Sequence, residues 1–110
     1  MYDIASEEEL YVPHPGTLKI GGATRPPKAA LCAVRFYERG QVPVDFLFLG
    51  GNAGQQAVKA CAWAQKLMLS DKGLKVGFVP MRVRVETVDP DTQARMDKVG
   101  FIWRMFVVSE

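Results

Sequence analysis

Gly50-Gly51-Asn52-Ala53-Gly54 is the stretch of this sequence whose residue types come nearest to chemistry. An apolar run ends there and a helical pattern begins. The backbone N–H groups of such a turn sit at a helix start, where they can cradle a phosphate. The spacing is not a Walker A loop, which closes on Gly-Lys-Ser/Thr, nor a well-spaced G-x-G-x-x-G. Without any ligand, the same glycines serve a tight turn and close helix packing. Arg25 and Lys28 stand at a second helix start, where the helix dipole disfavours cations. An anion docked nearby accounts for them, and so does a solvated surface. Arg82 and Arg84, two positions apart, share one face of a strand and form a basic stripe if that face is open; Arg104 on the neighbouring strand extends it. A solvated outer face is the plainer reading of that stripe.

Other chemistry finds little support. No nucleophile stands beside a base, no carboxylates pair, and no His/Cys cluster has ligand spacing, so an enzyme, a metal site and a cofactor are not expected. Cys32 and Cys61 fall among alanines on expected helices and read as two buried, reduced thiols. Trp63 and Trp103 could each stack on a base, but core or dimer contacts are the commoner use of tryptophan. His14, between two prolines, reads as surface with no partner in sight.

The elements that must position these residues follow from pattern. The chain has 110 residues, 48 % of them apolar and 24 % charged, enough for one core and one domain. Residues 1–16 read as a leader. They carry Asp3, Glu7, Glu8 and Glu9 without a Lys or Arg, Ser6–Glu9 suits one helical turn, and Pro13, Pro15 and Gly16 forbid regular structure. Removing those four acids leaves 14 basic against 8 acidic residues, a net of +6 on the remainder. That excess suits weak contact with a polyanion. Residues 17–110 form the domain. A strand over Thr17–Ile20 precedes a helix from Pro26 or Pro27 to Arg39, with Thr24 as its cap. Val44–Leu49 is a continuous apolar strand apart from Asp45. Asn52 caps a second helix reaching Met68, whose buried face holds Ala57, Ala60, Cys61, Ala64 and Met68. Leu74–Val79 gives a third strand interrupted by Pro80, and Arg82–Val88 resumes it. A polar loop from Asp89 to Asp97 leads to a last strand, Phe101–Val108. The order β-α-β-α-β-β predicts an α/β (α+β) sandwich, with two helices on one face of a mixed four-stranded sheet. No apolar run approaches a membrane span, and no signal peptide is visible, so a soluble cytoplasmic protein is expected.

The run Gly50-Gly51-Asn52-Ala53-Gly54-Gln55-Gln56-Ala57-Val58-Lys59-Ala60, followed by an alanine-rich helix, resembles the stage V sporulation protein S family, within the Alba-like superfamily. Upstream, Thr24-Arg25-Pro26-Pro27-Lys28-Ala29-Ala30 leads into a helix ending in Glu38-Arg39-Gly40 and then a strand, as in both families. The resemblance spans Thr17 to Val108, and residues 50–60 are its specific part. It implies an Alba-like domain, a homodimer or higher homo-oligomer, binding DNA or RNA. By position it implies phosphate contacts from Arg25 and Lys28 in the first loop and from Asn52, Gln55 and Lys59 at the second turn. Arg95 and Lys98 would act from a hairpin that enters the minor groove. Two departures stand out. The paired lysines typical of Alba's first loop are replaced by single basic residues flanking two prolines, and the hairpin sets Asp89, Asp91 and Asp97 against its two cations.

Two functions are therefore expected to compete. One is a weakly sequence-specific nucleic-acid-binding module of Alba-like type, with Arg25, Lys28, Asn52, Gln55, Lys59, Arg82, Arg84, Arg95 and Lys98 as its contacts and a regulatory role, as in sporulation. The other is a regulatory or scaffold protein working through protein contacts without nucleic acid, motivated by the acidic leader, the acid-bearing hairpin and the apolar last strand. A small-ligand binder using the glycine turn is a third reading.

Overall fold

The structure is a computed structural model that describes residues 10–108. The helical turn expected at Ser6–Glu9 lies outside the described residues. The six elements are β1 (Thr17–Ile20), α1 (Pro26–Glu38), β2 (Asp45–Phe48), α2 (Gly51–Lys72), β3 (Val76–Val88) and β4 (Arg95–Val107). They build one α+β domain with sheet order β1-β2-β4-β3, in which β1 and β2 are parallel and β4 runs antiparallel to both of its neighbours. No helix among the described residues is long and apolar enough to cross a membrane.

Parallel strands need a crossover. α1 supplies it between β1 and β2, and α2 supplies it between β2 and β3, leaving a gap that β4 fills. Both helices consequently start at the carboxyl ends of parallel strands, at one end of the sheet. Alanine sets how closely they pack. Ala29, Ala30 and Ala33 of α1 and Ala57, Ala60 and Ala64 of α2 are buried, joining Phe46, Met68 and Met105 in the main core. Small side chains let the two helix backbones approach each other and the sheet without a void.

Several boundaries differ from those the sequence suggests. α2 runs four residues past Met68 to Lys72, and Gly73 ends it in the left-handed conformation, φ 66°. β3 is one strand of 13 residues, unbroken at Pro80. β3 lies at the sheet's edge, where a proline's missing N–H removes no bond from the ladder. β4 starts at Arg95, which shortens the loop to Asp89–Ala94. Thr24 is not α1's cap: Arg25 holds that position, and the Thr24 hydroxyl instead accepts the Gly21 N–H at 2.7 Å. Nor does Asn52 cap α2, which starts after Gly50 with no side-chain cap. The cysteines are free, Cys61 buried and Cys32 only half-buried. Burial among the alanines pushes the Cys61 thiol up to about 12.

The larger surprise is on the sheet face away from the helices. Residues 10–14 cross that face from β3 toward β2. Leu10 bridges Arg84 in parallel, and the Tyr11 N–H donates to the Arg84 carbonyl at 2.8 Å. The Tyr11 ring packs on a second buried cluster, Leu47, Val83, Val85 and Ile102. The segment is anchored on Asp45, the one polar residue in an apolar strand, which is fully buried. Arg104 grips its carboxylate in a two-point bond, Nε to Oδ1 at 2.9 Å and Nη2 to Oδ2 at 3.0 Å. The Tyr11 hydroxyl donates to Oδ2 at 2.8 Å. His14 is not partnerless: its Nδ1 accepts the Gly16 N–H at 3.1 Å, so Nε2 carries the proton that it shares with Asp45 Oδ2 at 2.9 Å. A proline-flanked histidine that reads as surface is thus part of the strap's clasp.

Burial alone would raise the Asp45 carboxyl, but the hydrogen bonds from Arg104, His14 and Tyr11 outweigh it and hold the group below the usual carboxylate range. A carboxyl depressed in the fold stabilises it above its unfolded value of about 3.9, and that contribution disappears as pH falls through the folded value. Acid unfolding should therefore be steepest below about pH 4. Asp45→Asn, which strands the Arg104 charge against a neutral amide, should lower the stability measured by urea unfolding at neutral pH by about 3 kcal/mol and flatten the acid limb. Tyr11 gives the alkaline counterpart. Burial first, with the Asp45 charge assisting, pushes its phenol up to about 12. Its contribution is present below the ordinary value of about 10 and is lost as pH rises through 12. Ultraviolet titration should show one tyrosine ionising about two pH units late, and Tyr11→Phe should abolish that step.

Candidate nucleic-acid interface

Three things meet at the helix-start end of the sheet: the β1–α1 turn, the β2–α2 turn and the β3–β4 hairpin. β3 is parallel to β2 in the sheet, so its carboxyl end arrives at the same side as Phe48. The ladder between β2 and β4 stops at Phe48 opposite Phe101, whereas β3 and β4 stay paired out to Val88 and Arg95. Residues 83–88 and 95–100 thus form a two-stranded arm reaching about 20 Å beyond β2.

A cavity of about 730 Å³ opens between the two turns and the base of the arm. Its floor and one wall come from Lys19, Ile20, Gly21 and Gly22 and from Leu47 through Ala53; Val85 to Val88 form the facing wall. The Gly50-Gly51 turn is open at this surface. Gly50 takes φ 88° and ψ 166°, a conformation that side-chain-bearing residues rarely adopt. That bend turns the chain from β2 directly into α2. The first intrahelical bond runs from the Gly54 N–H to the Gly50 carbonyl at 3.0 Å, so the Gly51, Asn52 and Ala53 N–H groups have no acceptor within the helix and none from a capping side chain. No acid sits in α2's first turn either. The helix that the dipole makes electropositive here is therefore left unneutralised beside the cavity.

α1 begins differently. Pro26 and Pro27 occupy its first turn and lack N–H groups, so Lys28 is the first helical residue with a donor. Its contribution at this end is positive charge on side chains, from Arg25 and Lys28, both exposed. The two turns are tied together: the Gln56 side-chain amide donates to the Thr24 carbonyl at 2.8 Å, and a Cβ on Gly22 would lie 3.4 Å from that of Asn52.

Of the residues singled out from the sequence, Asn52 lines the cavity, and Arg25, Lys28 and Gln55 sit exposed around the joined turns. Lys59 is exposed on α2, about 12 Å along the helix from its first residue. Lys98 faces Val85 across the arm, on the side of the arm that carries part of the cavity wall. Arg84 and Arg95 are not free cations. Arg84 Nε lies 3.5 Å from Asp97 and Arg95 Nη1 lies 3.3 Å from Glu86. Arg82 pairs with Phe101 in register and belongs with Arg84 to one face of β3. Arg104 does not extend that stripe, because its register partner is Val79, on the opposite face, and its guanidinium is committed to Asp45. Trp103 packs against the main core, whereas Trp63 is exposed, with Lys66 Nζ 5.2 Å above its ring.

No family model matches the chain, and no curated protein matches it.

Lys19 is the site residue that sequence reasoning passed over. It lies on the wall of the cavity, the last outward-facing position of β1 before Gly21-Gly22. Alternation shows it: Leu18 and Ile20 face the core, so Thr17 and Lys19 face out, and the carboxyl end of a parallel strand is where such folds place ligands. If Gly50's conformation sets the turn, Gly50→Ala should cost about 1–3 kcal/mol in thermal or urea unfolding. The amides of Gly51, Asn52 and Ala53 should shift in an NMR spectrum while those of β4 stay in place.

Proposed function

We propose that this chain binds nucleic acid, DNA or RNA, by its phosphate backbone and with little sequence specificity. The observation that carries this reading is the unneutralised first turn of α2, open beside a cavity that also presents Lys19, with Arg25 and Lys28 exposed on the joined α1 turn. Phosphate contacts of this kind position a polyanion without reading its bases. Arg25, Lys28, Asn52, Gln55 and Lys59 supply the contacts around the turns, with Lys19 added and Lys98 at the arm. The resemblance to Alba-like proteins supports the same end of the molecule, and with it a homodimer or higher homo-oligomer acting in a regulatory role in the cytoplasm. Exposed apolar side chains on the open sheet face, Val79, Met81 and Phe106, suit assembly of that kind.

A second reading, a scaffold working through protein contacts, has its own observation. The arm carries Arg84, Arg95 and Lys98 against Glu86, Asp89, Asp91 and Asp97, three cations to four carboxylates, and two of the arginines are held by acids. Such an arm does not attract phosphate by charge.

A salt titration separates the two. Micromolar or weaker complexes with duplex DNA, single strands or RNA should form in low salt and fade as salt rises. Changing Lys28 and Lys59 to alanine together should weaken binding to every sequence alike and reduce the salt slope by about two, one for each phosphate contact removed. Absence of any complex in low salt would remove the nucleic-acid reading and leave the scaffold.

A further inference from the structure

We infer that the cavity at the base of the arm receives an unstacked base, so that the nucleic acid bound there is single-stranded or unpaired and not a closed duplex. This rests on the phosphate reading above and adds to it what the apolar half of the cavity is for. Phosphate binding needs N–H groups and cations, and those occupy one side only. The other side has Leu49 and Val88 at its surface with Leu47 and Val85 buried, and its lining also includes Thr87 and the Glu86 carboxylate, which lies 3.3 Å from Arg95. Leu49 and Val88 remain well exposed, at 39 % and 54 %.

That wall is built rather than incidental. Gly100 sits beneath it, and a Cβ there would lie 2.5 Å from Leu49 Cδ2 and 3.0 Å from Val85 Cγ2. The absence of a side chain at Gly100 is what lets Leu49, from the end of β2, lie down beside Val85 of the arm. Two elements that part company at the end of the shared ladder are thereby joined by one continuous apolar surface facing the α2 turn.

The chemistry of the occupant follows from the two sides together. A cavity of about 730 Å³ falls within the range of small-molecule sites, about 300–1,000 Å³, and accommodates a nucleotide. Duplex DNA or RNA offers phosphates and sugars at its surface while its base faces are stacked on one another. Set against this end of the protein, a duplex would satisfy the amides and leave the apolar wall wet. A single strand carries an exposed flat face next to each phosphate, and burying that face against the exposed Leu49 and Val88 side chains removes apolar surface of both partners from water. Asn52 and Thr87 share the lining; the Thr87 hydroxyl donates to the Met96 carbonyl at 3.2 Å, so its oxygen can accept from a base edge while the Asn52 amide can donate or accept. Every base has such a face, so the contact tolerates sequence.

The test uses the full chain and four probes of equal phosphate count in one low-salt buffer: a short single-stranded DNA, its RNA counterpart, its DNA duplex, and an abasic strand that keeps sugar and phosphate but has no bases. The expected result is that both single strands bind about tenfold more tightly than the duplex and the abasic strand. Leu49→Ala should bring the single strands most of the way down to the abasic level while leaving the duplex and abasic affinities unchanged. Val88→Ala, at a more exposed position, serves the same purpose should the Leu49 variant fold poorly. Equal binding of all four probes would overturn the base-receiving cavity and leave backbone binding standing. Failure of all four to bind would overturn both. Single strands that bind tightly but ignore both substitutions would also overturn the assignment, by placing the base contact elsewhere.

Discussion

Asp45 is the point on which the open side of this fold depends. An isolated carboxylate taken out of water costs far more than any single hydrogen bond returns, so its place at the start of β2 is tenable only because three partners converge on it. Arg104 arrives from β4, and Tyr11 and His14 arrive from the segment before β1. Thr17, at the start of β1, completes the set through a 2.7 Å bond between its hydroxyl and that of Tyr11. Thr17 and Arg104 both pair with Asp45 in the ladder. The cluster therefore fixes the register of the three strands it joins. It also fixes the strap over Leu47, Val83 and Ile102, an apolar patch that the two helices, both on the other face, cannot cover.

The clasp also determines where binding chemistry is available. The amino end of β2 is closed by Asp45 and the strap, and Arg104, the one basic residue in the part of β4 that pairs with β2, is used up there. The carboxyl end of β2, three residues away, is the reverse: a glycine turn, an uncapped helix and a lysine from the adjacent strand. Polarity within this four-residue strand thus separates a closed, structural end from an open one. The alanine-rich packing of α1 on α2 brings the two helix starts side by side, and the Gln56 bond to Thr24 holds them there.

The element order, the mixed sheet and the placement of both helices on one face were legible in the sequence, because they follow from periodicity and from two Gly-Gly punctuations after parallel strands. So was the buried face of α2, down to Cys61 and Met68. Boundaries were legible only where a glycine or proline acts locally. Pro80 misled because its meaning depends on whether the strand is an edge, a property of sheet order and not of neighbours in sequence. Asn52 and Thr24 misled because capping residues are recognised by type, while the chain enters α2 through Gly50's unusual backbone and uses the Thr24 hydroxyl to brace the preceding turn. The Asp45 cluster was illegible for a different reason. Its members lie at positions 11, 14, 17, 45 and 104, and an acid in an apolar strand announces that a partner exists without saying which. Apart from Lys19, the cations of the site were found by type, and the two that the arm neutralises could be recognised only once Glu86 and Asp97 were seen beside them.

The acids of the arm bear directly on whether a polyanion can approach this end at all. Asp89 and Asp91 stand at the tip, about 20 Å from the level where β2 ends, and the Debye length at physiological ionic strength is about 8 Å. Their repulsion is therefore screened before it reaches the α2 turn, although Asp89 directly follows Val88 at the far end of the cavity wall. Glu86 and Asp97 are nearer, but each faces an arginine at 3.3–3.5 Å, and exposed pairs of this kind contribute little to stability, about 0–1 kcal/mol, while cancelling charge on both partners. What remains at the base of the arm is close to neutral and largely apolar. An arm so constituted does not draw phosphate toward itself; in the proposed reading its part is to offer a wall. The charge pattern that argues against the arm as a phosphate contact is the same pattern that suits it to the uncharged part of a nucleotide.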